Sequence, residues 1–220
     1  MRIHCVRAVE KWMRPRDTGL EIGCSDGLMT QMLAERLARL DVVEATESFA
    51  AAVRNHNLAN VRLHRQMIEE YAAQEQFNCV FATWVLTHLM DAQVVLQRVR
   101  DWLLPDGILF VVVPNARVLS RQLALHMGIL VDLYELTAND RNHGHVRAYD
   151  RQRLNHELDA AGFETIAQGG LILKPLADFQ MDQLYERGML GDQHIEGLFR
   201  LGREYPDFAS AIYSVCRKRP

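Results

Sequence analysis

The chain has 220 residues, 49% of them hydrophobic and 24% charged, with a formal net charge of −3. This is the profile of one substantial globular domain, and without a basic stripe it speaks against a general nucleic-acid binder; Arg217-Lys218-Arg219 reads as a solvated tail. The longest apolar run, Gly107 to Val113, is too short to span a bilayer, Met1 is not followed by an apolar leader core, and Cys5, Cys24, Cys79 and Cys216 lack CxxC spacing, so free thiols in a reducing cytoplasm are expected.

Residues 3–13 carry Ile3, Val6, Val9 and Met13 at helical spacing and stop before Pro15, which places a short helix beside or over the turn that follows. Strand one is expected at 19–23. A glycine turn then leads into a helix over 27–39 that buries Leu28, Met32, Leu33 and Leu37. Strand two, at 41–45, is nearly all apolar, as a parallel strand covered on both faces should be. Helix 47–56, strand three at 61–65 and strand four at 78–82 follow. Helix 92–104, with Val94, Val95, Val99 and Leu103 inward, ends at the Pro105-Asp106-Gly107 turn before strand five at 107–113. Beyond Pro114 the rhythm changes. An apolar helical stretch covers 117–135, a polar segment 137–147 and a helix 150–161. A sixth strand, an irregular piece at about 174–206 and a last strand at about 209–216 close the chain. Alternating strands and helices imply an α/β doubly wound parallel sheet, with ligand at the carboxyl ends of the strands.

The turn Gly23-Cys24-Ser25-Asp26-Gly27 indicates which ligand. A dinucleotide fingerprint needs glycines at 23, 25 and 28, but Ser25 and Leu28 occupy two of those places. Carboxylates crowd the same stretch: Glu21 before the turn, Asp26 within it and Glu44 at the end of strand two. They repel a pyrophosphate and welcome a cation. Glu44 lies 21 residues beyond Gly23, about where an acidic residue takes a ribose diol. A cationic nucleoside with a diol and no phosphate fits, and S-adenosylmethionine (SAM) is such a molecule. Met67 and Ile68 are placed to sandwich its adenine and Glu69 to accept from its amino group; the alternative for this segment is an acidic helix N-terminus.

Glu21-Ile22-Gly23-Cys24-Ser25-Asp26-Gly27 resembles motif I of the class I SAM-dependent methyltransferases. The likeness continues through Val43-Glu44-Ala45-Thr46, the Phe77–Asp91 stretch, the Leu103–Ala116 stretch, and His145-Val146-Arg147-Ala148-Tyr149-Asp150 followed by Leu158-Asp159-Ala160-Ala161-Gly162-Phe163, the last resembling the small-molecule branch. Departures are Ser25 for the middle glycine, Thr87 for the usual glutamate before His88, and Asn78 for an aspartate. The resemblance implies a Rossmann-like, seven-stranded, mostly parallel sheet with helices on both faces, as a single domain over 1–220. Insertions at about 115–149 and 174–206 would form a lid over the methyl group, or else serve as packing or a dimer surface. Glu21, Gly23, Cys24, Ser25, Gly27, Glu44, Ala45, Met67, Ile68, Glu69, Ala82, Thr83 and Trp84 would then hold SAM, with Trp84 as a cofactor wall.

Methyl transfer from a sulfonium needs positioning and exclusion of water, and a base if the acceptor is a hydroxyl or a protonated amine. His88, just beyond strand four, is the leading base candidate, its other reading being a loop-orienting histidine. His143, His145, Arg147 and Tyr149 gather two imidazoles, a guanidinium and a phenol around Gly144. His145 and Tyr149 are candidates to steer or deprotonate the acceptor; His143, Arg147 and Asn115 are candidates to bind it. A network that locks the lid is the competing reading. No HExxH or Cys/His spacing marks a metal site, and the acidic cluster of metal-assisted catechol methyltransferases is absent near Ala82-Thr83-Trp84, so no metal is expected. The reading is a cytoplasmic SAM-dependent methyltransferase for a small molecule, a possible homodimer. It is expected to favour O-methylation of a natural-product or sugar-like acceptor, with N- and carboxyl-methylation open. A non-catalytic SAM-binding scaffold and an NAD-type oxidoreductase are the alternatives from other classes.

Overall fold

The computed structural model describes residues 1–219. Seven strands form one sheet in the order β3-β2-β1-β4-β5-β7-β6. They are β1 (Thr18–Ile22), β2 (Arg39–Val43), β3 (Val61–His64), β4 (Phe77–Thr83), β5 (Leu103–Pro114), β6 (Phe163–Gly170) and β7 (Ala211–Lys218). The ladders joining β3, β2, β1, β4 and β5 are parallel, while β7 runs against both β5 and β6. The chain leaves β1 in one direction through β2 and β3, then returns to β4 on the other side. The carboxyl ends of β1 and β4 therefore flank the point where strand order reverses, the place for a ligand in such a sheet.

Each face of the sheet has its own core, because strands buried on both sides alternate their side chains between two apolar layers. On one face, Leu20, Ile22, Val80, Leu109 and Val111 pack under α4 (Ala92–Trp102) and α7 (Arg151–Ala160), which contribute Val95, Leu96, Val99, Leu154 and Leu158. On the other, Leu40, Val42, Phe81, Phe110 and Val215 pack under α1 (Arg2–Val9), α2 (Leu28–Ala34), α3 (Glu47–Asn55) and α9 (Asp192–Glu204). Asn78, which departs from the family pattern, accepts from Thr18 N at 2.9 Å and so ties β4 to the start of β1.

Several expected elements are corrected. The helix after the turn is shorter than 27–39, ending at Ala34, and it buries Met29, Leu33 and Ala34, while Leu37 is buried in the loop beyond it and Met32 only partly; Leu28, 49% exposed, sits at its first position, pointing away from the sheet. In α4 the side chain of Asp91 caps Val94 N at 3.1 Å, and that phase buries Ala92, Val95, Leu96 and Val99 while leaving Val94 47% exposed. The apolar stretch 117–135 is helical at α5 (Leu119–His126) and stops near Gly128, whose φ of +73° breaks the helix, so Ile129 and Val131 are exposed. A short α6 (Ala138–Asn142) lies within the polar segment, with Thr137 as its capping residue. The piece at 174–206 is not irregular: α8 (Asp178–Glu186) and α9 fill it, and Phe199 of α9 is buried against the sheet. Among the described residues, no helix is long and apolar enough to cross a membrane.

Candidate active site

A cavity of about 980 Å³ opens at the carboxyl ends of β1, β2 and β4. Its floor is the glycine turn. Gly23 donates to Val43 O at 2.9 Å and Gly27 to Cys24 O at 3.0 Å, with φ of +74° and +76° at the two glycines and +49° at Ser25 between them. A Cβ on Gly23 would meet nothing nearer than Val85 Cγ2 at 3.9 Å, so the left-handed backbone, not space, calls for glycine there. The turn points Gly23, Cys24 and Ser25 into the cavity.

Glu44 forms the side wall. It is buried, and its two oxygens accept from Cys24 N at 3.0 Å and Thr46 N at 2.8 Å, so the carboxylate is locked to the turn while still lining the cavity. Glu21 lies beneath it, accepting from Thr30 Oγ1 at 2.6 Å. Burial, with the Glu44 charge adding, pushes the Glu21 carboxyl up to about 8. Burial also raises the Cys24 thiol, leaving it a neutral apolar wall and not a nucleophile. Met67, Ile68 and Glu69 line the cavity after β3, and Thr83 and Trp84 at the end of β4. Trp84 has φ of +59°, a costly conformation for an aromatic residue, held by Trp84 N donating to Val112 O at 2.7 Å.

The opposite wall comes from the insertions. His88, His143 and His145 face the cavity, with Asp178 from α8. His88 Nδ1 is 3.2 Å from Gly144 O, and Val146 N donates to Thr87 O at 2.9 Å, so the loop after β4 is stitched to residues 144–146. Thr87, standing where the family has glutamate, uses its hydroxyl to donate to Trp84 O at 3.0 Å and braces the strained residue.

A methyltransferase-domain family model matches residues 5–168 of the chain. This chain belongs to the class I SAM-dependent methyltransferases. A ubiquinone biosynthesis O-methyltransferase of Idiomarina loihiensis is 31% identical over 170 residues, covering 74% of this chain and 68% of that protein. The chain thus spans about two thirds of the length of such curated relatives. In fold it is similar to the N-methyltransferase NodS of Bradyrhizobium japonicum WM9 in complex with S-adenosyl-L-homocysteine (TM-score 0.64, 15% identity, 100% of this chain and 86% of that one). It is also similar to the [4+2]-cyclase SpnF (TM-score 0.66, 16% identity, 99% and 80%).

The residues of this methyltransferase fit its cofactor. The buried Glu44 carboxylate suits a ligand that carries a cation and a diol, and three backbone N–H groups of the turn are already taken, Gly23 N by Val43 O, Gly27 N by Cys24 O and Cys24 N by Glu44. When bound, SAM supplies an activated methyl group; what the protein must supply is orientation, dryness and any proton acceptor.

The structure does not bring every expected residue to the cavity. Gly27 shapes the turn from outside, where its Cβ would strike His56 Cδ2 at 3.0 Å, and Ala82 is buried in the core beneath β4. Arg147 is drawn away to Glu157 Oε1 at 3.1 Å and to the Leu89 and Met90 carbonyls at 2.8 Å each. Tyr149 is buried with its hydroxyl donating to Glu157, and burial raises its phenol further out of reach of proton transfer. Asn115 spends its amide on the Asp207 and Ala209 carbonyls, both at 2.9 Å. These three side chains hold residues 115–149 to the rest of the fold through Glu157 on α7 and the backbone carbonyls of residues 89–90 and 207–209. Conversely, Arg2 and Phe49 line the cavity without having been expected there. Arg2 of α1 pairs with Asp26 Oδ1 at 2.9 Å and donates to Ser25 Oγ at 3.1 Å, closing the N-terminal helix onto the turn. A contact across more than 20 residues leaves no local pattern. Among the described residues no group of three or more His, Cys, Asp or Glu side chains is arranged to hold a metal ion.

Proposed function

We propose that this methyltransferase methylates a hydroxyl oxygen of a small-molecule acceptor, with His88 as the general base. The observation that carries the reading is the His88 ring at the cavity wall, with Nδ1 3.2 Å from the Gly144 carbonyl, so that Nε2 is the nitrogen left to accept a proton. Oxygen acceptors need such a base, since a hydroxyl is a poor nucleophile until its proton is taken. The name of the ubiquinone biosynthesis relative supports an oxygen acceptor; the names of coclaurine N-methyltransferase and NodS keep an amine as the second reading. On the cofactor side, the proposal assigns Glu44 to the ribose diol. Gly23, Cys24 and Ser25 take the methionine moiety, Met67, Ile68 and Glu69 the adenine, and Trp84 the wall behind the sulfonium. His143 and His145 face the acceptor. The insertions at 115–149 and 174–206 serve as its lid. Four buried free cysteines support a cytoplasmic setting, the net charge of −3 supports a small acceptor over nucleic acid, and a homodimer remains part of the proposal for solution measurement.

The test is a panel of phenolic, sugar and amine acceptors assayed with native protein and His88→Gln. Expected are methyl ethers, with kcat for the variant lower by about 100-fold or more and SAM affinity within about twofold. Methylation confined to amines, or a variant as fast as native protein across the pH range, overturns the assignment.

A further inference from the structure

His88 is carried by the loop after β4, where its backbone N–H donates to Val85 O at 2.9 Å, but its ring is held by the lid. A carbonyl can only accept, so the 3.2 Å contact of Nδ1 with Gly144 O places the proton of the neutral ring on Nδ1 and the lone pair on Nε2. Gly144 has φ of +76°, and a Cβ there would lie 3.6 Å from His88 Nδ1. Beside it the His145 ring packs edge-on against His88, with centroids 4.9 Å apart and planes at 65°. Its Nδ1 is 3.4 Å from Asp140 Oδ1. The other oxygen of Asp140 is fully engaged, accepting from Thr137 N at 2.9 Å, Thr137 Oγ1 at 2.8 Å and Arg121 Nη1 at 3.2 Å. Burial opposes charge on this carboxyl, but those bonds outweigh it and hold Asp140 below the usual carboxylate range. Burial, followed by the His88 imidazole, lowers His145 and favours its neutral ring.

We infer that residues 137–146 of the lid are a positioning device for the base: the Gly144 carbonyl selects the Nδ1–H form of His88, and Asp140, acting across the His145 ring, offsets the charge His88 acquires. This rests on the assignment of His88 as the base. The step concerned is a proton transfer. The acceptor's O–H proton passes to the Nε2 lone pair while the O–H bonding pair stays on the oxygen, and Nε2 then releases the proton to water. Asp140 and His145 are positioning residues; they do not receive that proton. The charged and titratable groups that share the cavity with His88 are the Met1 ammonium and Arg2, Glu21 and Glu44 at the strand ends, Cys24 in the turn, Glu69 after β3, His143 and His145 from the lid, and Asp178 from α8. Among the described residues, His145 is the one whose ring packs against it.

The device is read directly from long-range ¹H–¹⁵N spectra of cofactor-free, ¹⁵N-labelled protein, which give the tautomer and protonation midpoint of each histidine. Neutral His88 is expected as the Nδ1–H form. Its midpoint should fall in Asp140→Asn and recover in Asp140→Glu, because an opposite charge nearby favours the protonated ring. A His88 ring populated chiefly as Nε2–H, or a midpoint that does not move in Asp140→Asn with the lid intact, overturns the inference. Asp140 also caps α6, so if its loss disorders the lid, the tautomer of the native protein decides alone. Neither reading involves an acceptor. A panel that yielded no methyl ether would therefore defeat the proposed reaction while leaving this result standing.

Discussion

Replacing Glu44 by glutamine changes almost no volume and removes one charge and one acceptor from the centre of the site. The native carboxylate is 7% exposed and serves Cys24 N at 3.0 Å with one oxygen and Thr46 N at 2.8 Å with the other. A glutamine side chain has a single oxygen, so one of those backbone N–H groups must face an NH₂. Leaving a buried donor unpaired costs about 1–3 kcal/mol of stability. Binding suffers separately: a hydrogen bond from a ribose hydroxyl to a charged acceptor contributes about 1.5–3 kcal/mol, so its loss raises Kd by roughly 10- to 150-fold. Titration calorimetry of both proteins with S-adenosylhomocysteine measures that ratio. An analogue lacking the 2′ and 3′ hydroxyls separates the causes, since the penalty should nearly vanish with it if Glu44 holds the diol. Affinity for S-adenosylhomocysteine within about threefold of native would refute the assignment, and an equal penalty on both ligands would show that the turn, not the diol, had been lost.

Glu21 makes the apo protein pH-sensitive in a defined direction. Its carboxyl is pushed from an ordinary 4.5 to about 8 by burial, so between those values the native state holds a proton that the unfolded chain has released. The resulting stability is full below about pH 4.5 and is lost as pH rises through 8, on the order of 5 kcal/mol in all. Urea titrations should give Glu21→Gln a flatter decline than native protein between pH 5.5 and 8; parallel slopes would contradict the buried carboxyl. Phe199→Ala should cost about 3–4 kcal/mol, because this ring, 2% exposed, stacks on His4 at 4.3 Å and lies under Arg7 at 4.6 Å. Since α1 also carries Arg2 to Asp26, SAM binding should weaken several-fold in that variant, and a loss below about 1 kcal/mol would deny α9 its hold on α1.

The amino-acid sequence alone determined the parts that depend on near neighbours. A strand breaking at Gly23 into a left-handed turn and then a helix is a matter of local dihedrals, and Glu44 follows at the spacing set by one helix and one parallel strand. From these the sheet, its switch point and the carboxyl groups gathered at the turn were legible. Tertiary structure alone decided which polar side chains of residues 143–149 reach the cavity. Arg147 and Tyr149 share a short segment with His145, yet both turn to Glu157 on α7, while His145 faces His88 from 57 residues away. Nor does any local pattern mark Arg2 as the partner of Asp26. Periodicity and turn chemistry are properties of adjacent residues, whereas a buried polar group goes wherever the folded chain offers a partner, and that offer exists only once distant segments have packed.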